Sequence, residues 1–358
     1  MSERMQAVVN YGINDFRLEE VAKPGIDHGE ILIKVDACGV CTSDVKTLHG
    51  AERYWGRPGE KAFVKTPVIP GHEFFGTIVD ISDERARSGD LNVGDRVVAE
   101  QIVPCGRCRF CRQGSYWMCE VHNIFGFQPE VNGGMADFMK FTKASVVHKI
   151  PSSLPLELAV LIEPLACAFH AVDRARIEAG DVVVIAGAGT LGLGMIGPAL
   201  SKAPAAVVTL DLDPKRLALA KQLGSTHVFN PLESDVSAEI KNLTEGYGCD
   251  VYIEATGTPK GVEQGLKLLR KMGRFLEYSV FGAPVTVDWS IIGEEKELDI
   301  LGAHLGARMY PSAIAALADG SSRMDGVVTD QLPLHAFADA FTLMEGGHGS
   351  IKAILIPS

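Results

Sequence analysis

Residues Ala179–Gly194 read AGDVVVIAGAGTLGLG, and the reading of this stretch decides the fold. Val182–Ala186 is a short apolar run rich in β-branched residues, the pattern of a buried strand. Gly187-x-Gly189-x-x-Gly192 follows at once. Alone this fingerprint is weak. Between a strand and a helix it is the phosphate-binding turn of a dinucleotide fold. Gly187 permits a tight turn, Gly189 lets the backbone approach a pyrophosphate, and Gly192 lets helix and strand close together. The loop from Gly187 through Thr190 and Leu191 to Gly192 then offers a helix N-terminus to phosphate charge.

The next apolar run, AAVVTLDLD, ends in acid at the spacing of about 20 residues that this motif requires. Asp211 there would accept hydrogen bonds from the adenosine ribose and repel a 2′-phosphate, so NAD is expected rather than NADP. Asp213 also reads as a turn or cap residue before Pro214. Beyond it helical and strand patterns alternate. DPKRLALAKQLG is a helix closed by Gly224, CDVYIEATG a strand, GVEQGLKLLRKMG a helix and RFLEYSV a strand. Such alternation predicts a parallel doubly wound sheet, with ligands at the carboxyl ends of its strands. Thr256 and Ser279 fall at such ends, as cofactor contacts or as locally capped loop residues. Pro198, with Gly194 and Gly197 before it, is expected to kink the helix after the fingerprint.

The chain around this motif has 358 residues and a net charge of −11. The length predicts two domains, and the charge argues against a phosphate backbone as partner. MSERMQAVVNYGINDF carries no apolar run of a signal peptide. No stretch approaches the roughly 20 apolar residues of a membrane span. A cytoplasmic protein is expected. Its thiols would then be reduced, which turns attention from disulfides to metal or catalysis.

Four of the eight cysteines lie in CGRCRFCRQGSYWMC, as Cys105-x2-Cys108-x2-Cys111-x7-Cys119. Four sulfurs close a tetrahedral Zn2+ site with no open position, which makes the site structural. An iron–sulfur cluster and a nucleic-acid-binding knuckle are the alternatives. Arg107, Arg109 and Arg112 favour the knuckle, while the acidic chain opposes it. A second cluster lies upstream. Cys41 in VDACGVCTSDVK, with His72 and Glu73 in VIPGHEFFG, has the ligand types of a catalytic zinc with one open position. Taken singly, Cys38-x-x-Cys41 also fits a redox pair, His72 a core histidine and Glu73 a surface charge.

CGVCTSD, GHEFFG, the four-cysteine lobe and IEPLACAFHA occur in this order. In that order they resemble the zinc-dependent medium-chain alcohol and polyol dehydrogenases over nearly the whole chain. EPLA is most similar to the branch of sorbitol and threonine dehydrogenases, and the general resemblance extends to enzymes of short sugar alcohols such as erythritol or threitol. The resemblance implies a GroES-like β-rich catalytic domain over residues 1–165, with 302–358 returning to it, and a Rossmann domain over 166–301. The short β runs QAVVNYG, EILIKVDACG, GTIVDI and DRVVAE agree with the first of these.

The resemblance also implies roles. Cys41 and His72 match zinc ligands, and Glu73 is the ligand beside the histidine. Glu163 matches a carboxylate that binds the metal or holds its water. Ser43 matches the hydroxyl that passes on the substrate proton, and Asp44 an acid that orients a ligand. Arg216 matches a ribose contact of NAD-specific relatives, and Cys38 no ligand. The implied cofactors are one catalytic zinc, one structural zinc and NAD. The implied partners are a small polyol and further copies of the chain, as a dimer or tetramer. The implied activity is zinc-dependent hydride transfer from the polyol to NAD, giving a ketose. L-Threonine or a simple alcohol is the alternative substrate, and an NAD-binding zinc protein with a structural or regulatory role is the non-enzymatic one.

Two features depart from the family pattern. Lys46 stands where relatives often carry a relay histidine. A lysine of ordinary pKa, about 10.4, is already protonated at neutral pH and relays poorly. His49 or water could substitute, and a plain polar surface position is the reading favoured over that. The loop HGAERYWGRPGEKAFVKTPVIPG is long, and Tyr54 and Trp55 in it either shape a substrate pocket or form a local core.

Overall fold

The computed structural model describes residues 3–87, 90–345 and 349–358. The chain forms two compact units. The first comprises Met1–Glu163, Gly306–Ala318 and Val328–Ser358, and the second Pro164–Leu305 and Asp319–Val327. The segment 319–327 therefore does not return with its neighbours to the first unit. Its reason lies in the glycines of the helix Thr190–Leu200. A Cβ on Gly197 would lie 2.6 Å from Ser322 Oγ, and one on Gly194 3.5 Å from Met324 Cε. A side chain at Gly197 would push the segment away, while one at Gly194 would meet Met324 in ordinary contact. The helix ends two residues after Pro198, so the proline costs it little.

The first unit is built on a seven-stranded sheet. Its main path runs Val328–Pro333, Lys352–Ile356, Ile31–Gly39, Glu73–Ile81, Arg96–Ala99, Val147–Lys149, and Phe138–Phe141 also pairs with Ile31–Gly39. Arg4–Gly12 and Asp15–Ala22 form a separate antiparallel hairpin. Strand Ile31–Gly39 shows why the unit is ordered. Eight of its nine residues avoid exposure, with Lys34 turned outward, because neighbours cover both faces. Met5, Val8, Ile33, Val35, Phe74, Ile78, Phe125, Met135, Phe141 and Leu355 meet in one core.

The second unit is a six-stranded parallel sheet in the order His227–Phe229, Ala206–Leu210, Val182–Ala186, Cys249–Glu254, Leu269–Glu277, Asp299–Gly302. In chain order this is third, second, first, fourth, fifth, sixth, the doubly wound arrangement of a Rossmann sheet. Every residue of Val182–Ala186 and Ala206–Leu210 is buried, as both faces of a parallel sheet require. Helix Pro214–Leu223 starts on Asp213, whose carboxylate accepts from Lys215 N at 2.7 Å and Arg216 N at 3.4 Å, and ends on Gly224 at φ +118°. The helix expected over GVEQGLKLLRKMG stops early, at Leu268. Lys296 Nζ caps its end, donating to the carbonyls of Leu266, Lys267 and Leu269 at 2.6, 2.9 and 2.6 Å. Leu269 then pairs with Cys249 and begins a strand.

Candidate active site

The strand Ile31–Gly39 delivers the chain to Cys41, and the antiparallel strand Glu73–Ile81 begins at the neighbouring position, with Gly39 paired to Glu73. The sheet thus brings together residues far apart in sequence. One ligand atom each from Cys41, His72 and Glu73 lies within 4.8 Å of the others. His72 and Glu73 are buried and Cys41 is half-buried. Gly39 makes this possible by its lack of a side chain, since a Cβ there would sit 2.2 Å from Glu73 Oε2.

Helix Thr42–Leu48 starts at Cys41, where Asp44 Oδ2 accepts from Cys41 N at 2.9 Å. The other Asp44 oxygen stands 3.6 Å from His72 Nδ1, which is buried without a hydrogen-bond partner. Burial opposes the His72 imidazolium, but Asp44 and Cys41 outweigh it and raise the pKa well above the ordinary value. The pocket is one that attracts a cation, and a divalent ion among sulfur, imidazole and carboxylate fits that demand. Ser43 Oγ is 3.5 Å from His72 Nε2. Cys38 is fully buried, and burial raises its thiol pKa well above the usual range. A neutral thiol of that kind does not act as half of a redox pair.

Glu73 has a partner that the sequence did not advertise. Lys352 Nζ donates to its two oxygens at 2.8 and 2.6 Å and to Val40 O at 3.2 Å. Glu163, at the first turn of helix Ile162–Arg174, is outside the tight trio but also acts electrostatically on Lys352. It is buried and accepts a hydrogen bond from Gln101 Nε2. Gln101 Oε1 in turn accepts from Tyr310 OH at 2.7 Å. Neither Lys352, Gln101 nor Tyr310 belongs to a motif. The one signal was Lys352 as a lone cation in the apolar strand KAILI, since an unpaired lysine is almost never buried.

Tyr54 is buried and stacks on Phe127 with ring centroids 5.6 Å apart. Phe127 also lies 5.5 Å from the His72 ring and 5.3 Å from Phe63. Burial, then the Cys41 thiolate, push the Tyr54 phenol up to about 12, and its hydroxyl meets the Ser43 side chain. The aromatic loop residue therefore stands beside the trio. Trp55 instead donates Nε1–H to Thr47 O at 2.7 Å and fixes the loop. His49 is turned to the surface, where its ring nitrogens meet Asn14 and Glu345. Burial lowers the pKa of Lys46, and the Cys41 thiolate opposes the shift.

The four cysteines of the lobe also converge, each with a sulfur within 4.8 Å of the others. Backbone N–H groups point at the sulfurs. Cys105 N donates to Cys119 Sγ at 3.3 Å, Cys108 N to Cys105 Sγ at 3.4 Å and Cys111 N to Cys108 Sγ at 3.4 Å. The N–H groups of Cys111 and Glu120 bring the Cys108 thiol down to about 6. Burial, then Cys108, push Cys111 up to about 12. Four sulfurs held this close could together hold a tetrahedral ion such as zinc.

In the second unit Gly187 turns at φ +99°. A Cβ on Gly192 would strike Gly187 O at 1.8 Å, whereas one on Gly189 would meet open space. That clearance lies at the N-terminus of helix Thr190–Leu200, where a pyrophosphate fits. Leu191 follows Thr190 in the first turn. Asp211 Oδ2 accepts from Ala188 N at 2.6 Å and Oδ1 from Asp213 N at 2.9 Å, so the carboxylate is anchored beside the loop. Arg216 lies one turn into the following helix. Thr256 N and Oγ1 donate to Glu254, Ser279 N donates to Glu277 Oε1 at 2.6 Å, and Ser279 Oγ donates to Glu254 O at 3.2 Å. Both therefore sit at carboxyl ends of strands and already have local partners.

Residues 27–152 match the alcohol dehydrogenase GroES-like domain, and residues 191–319 the zinc-binding dehydrogenase domain. The chain is 49% identical over 356 residues to erythritol/L-threitol dehydrogenase of Mycolicibacterium smegmatis, covering 99% of this chain and 98% of that one. The chain belongs to the zinc-dependent medium-chain dehydrogenase family. A second relative, sorbitol dehydrogenase of Bacillus subtilis, is 34% identical over 94% of this chain and 93% of its own. The crystal structure of an alcohol dehydrogenase from Thermotoga maritima superposes with a TM-score of 0.89 at 26% identity, with both chains fully covered. This family member is a dehydrogenase of the GroES-like plus Rossmann type, with zinc and a nicotinamide dinucleotide as cofactors. No helix among the described residues is long and apolar enough to cross a membrane.

Proposed function

We propose that this dehydrogenase oxidises a hydroxyl of a small polyol, a four-carbon sugar alcohol such as erythritol or threitol, to a ketose with NAD as acceptor. The observation that carries the substrate is the likeness to erythritol/L-threitol dehydrogenase at 49% identity over 99% of the chain. The chemistry is supported by the convergence of Cys41, His72 and Glu73. In this reading the first unit holds the metal chemistry and the second the dinucleotide.

When bound, zinc supplies a Lewis acid for the substrate oxygen and NAD accepts the hydride. Cys41, His72 and Glu73 hold the metal. Lys352 offsets the charge of Glu73, so the residues that would hold the metal carry less net negative charge. Asp44 fixes the start of the Cys41 helix and faces His72. Glu163, held by Gln101, orients the metal or its water. Ser43 takes the substrate proton. Tyr54, neutral at working pH, offers its hydroxyl to Ser43, and the Tyr54–Phe127 wall keeps water from that side. The proton then leaves through solvent, because His49 is committed to Asn14 and Glu345. Gly187, Gly189, Thr190, Leu191 and Gly192 receive the pyrophosphate, Asp211 and Arg216 the ribose, and Thr256 and Ser279 line the path towards the nicotinamide. Cys105, Cys108, Cys111 and Cys119 hold the structural zinc.

We further propose a cytoplasmic homo-oligomer, a dimer or tetramer. None of the eight cysteines is in a disulfide among the described residues, which accords with a reducing compartment. The edge strand Asp299–Gly302 exposes Ile300 at 45%, and an open edge of that kind invites pairing with another copy. Light scattering of the purified protein tests the assembly. NADH formation from a panel of three- to six-carbon polyols, L-threonine and simple alcohols tests the activity, with a chelator and Cys41→Ser as controls. Chelator-sensitive turnover strongest on a four-carbon polyol, lost in the variant, is expected. Preference for L-threonine, or no turnover with zinc fully loaded, overturns the substrate.

A further inference from the structure

A buried polar chain joins the four-cysteine lobe to Glu163. Tyr116, in the lobe between Cys111 and Cys119, places its hydroxyl 3.0 and 2.9 Å from the two oxygens of Glu100. Glu100 is 1% exposed, and among the described residues His148 Nε2 also reaches it, at 3.1 Å. The next residue, Gln101, is 2% exposed and faces the other way, donating Nε2–H to Glu163. Tyr310, fully buried, locks Gln101 from both ends. It donates to Gln101 Oε1 at 2.7 Å and accepts from Gln101 N at 3.0 Å. Tyr310 also stacks on the His148 ring, with centroids 5.7 Å apart. Glu100 and Gln101 are therefore one rigid dipeptide with a lobe residue on one side and the metal-site carboxylate on the other.

We propose that Tyr116 is a positioning residue for the dehydrogenase reaction, acting through Glu100 and Gln101 to hold Glu163 at the catalytic metal site. The inference rests on the reading of Glu163 as a carboxylate of that site. Its physical basis is the cost of a buried charge. A carboxylate excluded from water depends on its few donors. Burial and then Glu100 raise the Tyr116 phenol pKa, so the hydroxyl stays a donor at working pH. Losing it leaves Glu100 with the His148 contact. Glu100 must then shift towards another donor, and Gln101 shares its backbone. The Gln101 side chain that meets both Tyr310 and Glu163 is then displaced. The four-cysteine lobe thereby acquires a task beyond its own folding: it fixes the point from which this chain is held.

The test uses full-length enzyme with zinc in the four-cysteine site and cobalt in the other. Tyr116→Phe deletes one hydroxyl and keeps the ring near Arg308, 6.0 Å from its centroid. Its visible cobalt band is expected to move in the same direction as that of Glu163→Gln, with metal content at both sites unchanged. kcat is expected to fall by about 10-fold, the lower end for loss of an outer-shell partner, with KM for the polyol little changed. Gln101→Met should reproduce the shift, and adding Tyr116→Phe to it should do nothing more. If Gln101→Met does not fold, the pair Tyr116→Phe and Glu163→Gln closes the same cycle. A wild-type band and kcat in Tyr116→Phe, while Glu163→Gln alters both, overturns the proposal, as does additivity in the cycle. A Glu163→Gln enzyme unchanged in band and kcat removes Glu163 from the site, and the proposal falls with that reading.

Discussion

Lys352 Nζ lies 2.8 and 2.6 Å from the two carboxylate oxygens of Glu73, and both side chains are 3% exposed. The pair joins the last strand of the first unit to the start of strand Glu73–Ile81. Removing one member strands the other charge in the interior. Lys352→Met should therefore destabilise the first unit by roughly 3–5 kcal/mol, read as a lowered urea midpoint. Lys352→Met with Glu73→Gln should recover part of that loss, because neither partner is then charged. A single variant as stable as wild type would show that Glu73 finds water or another donor.

Gly39 is set by space. Its missing Cβ would lie 2.2 Å from Glu73 Oε2, so Gly39→Ala must push that carboxylate aside. Metal analysis should find zinc falling from about two per chain towards about one, since a displaced ligand weakens only the open site. The four-cysteine site should remain filled. Two zinc ions per chain in Gly39→Ala would show that Glu73 is dispensable for metal retention.

Asp211 is anchored by Ala188 N and Asp213 N at 2.6 and 2.9 Å, so its charge stays fixed where the ribose would lie. Asp211→Asn keeps the shape and removes the charge. kcat/KM with NADP should rise against that with NAD by roughly 10–100-fold, the equivalent of one charge-assisted hydrogen bond of about 1.5–3 kcal/mol. An unchanged ratio would mean that another residue reads the 2′ position.

The lobe cysteines differ in acidity. Backbone N–H groups lower Cys108 to about 6 and also lower Cys105, while burial raises Cys111 to about 12. A depressed pKa means thiolate at lower pH. Chelator-treated protein at pH 7 should be alkylated first at Cys108, whereas an ordinary thiol needs pH near about 8.5. Labelling of Cys108 should fade as pH drops through about 6, and zinc should protect all four. Peptide mass spectrometry reads the order. Equal labelling of the four at pH 7 would contradict it.

What could be read in the sequence follows from whether the physics is local. The loop Gly187–Gly192 and Asp211 announce themselves because a tight turn, a close approach and a strand end each demand one residue type at a fixed spacing. The four-cysteine lobe was legible for the same reason, and Cys41, His72 and Glu73 through the family resemblance of their motifs. Lys352, Gln101, Tyr310 and Tyr116 were not, because each acts on a residue more than fifteen positions away and carries no spacing rule. The resemblance carries 302–358 to the first unit as a whole, whereas 319–327 groups with the second, where Gly197 leaves room for Ser322, a contact with no spacing rule. His49 offered itself as a relay by position alone, and its contacts with Asn14 and Glu345 depend on folding.

The Glu73–Lys352 pair spans 279 residues, and the whole second unit is spelled out between them. On a ribosome adding about 5–20 residues per second, Glu73 waits about 15–60 s for its counter-ion. The last segment of the dinucleotide unit, Asp319–Val327, is made shortly before Lys352. If Cys41, His72 and Glu73 hold the proposed ion, its capture would follow the arrival of that single ammonium group. A polypeptide released before Lys352 would carry every ligand and still lack a settled site, so in this protein one buried lysine reports that synthesis has reached its end strand.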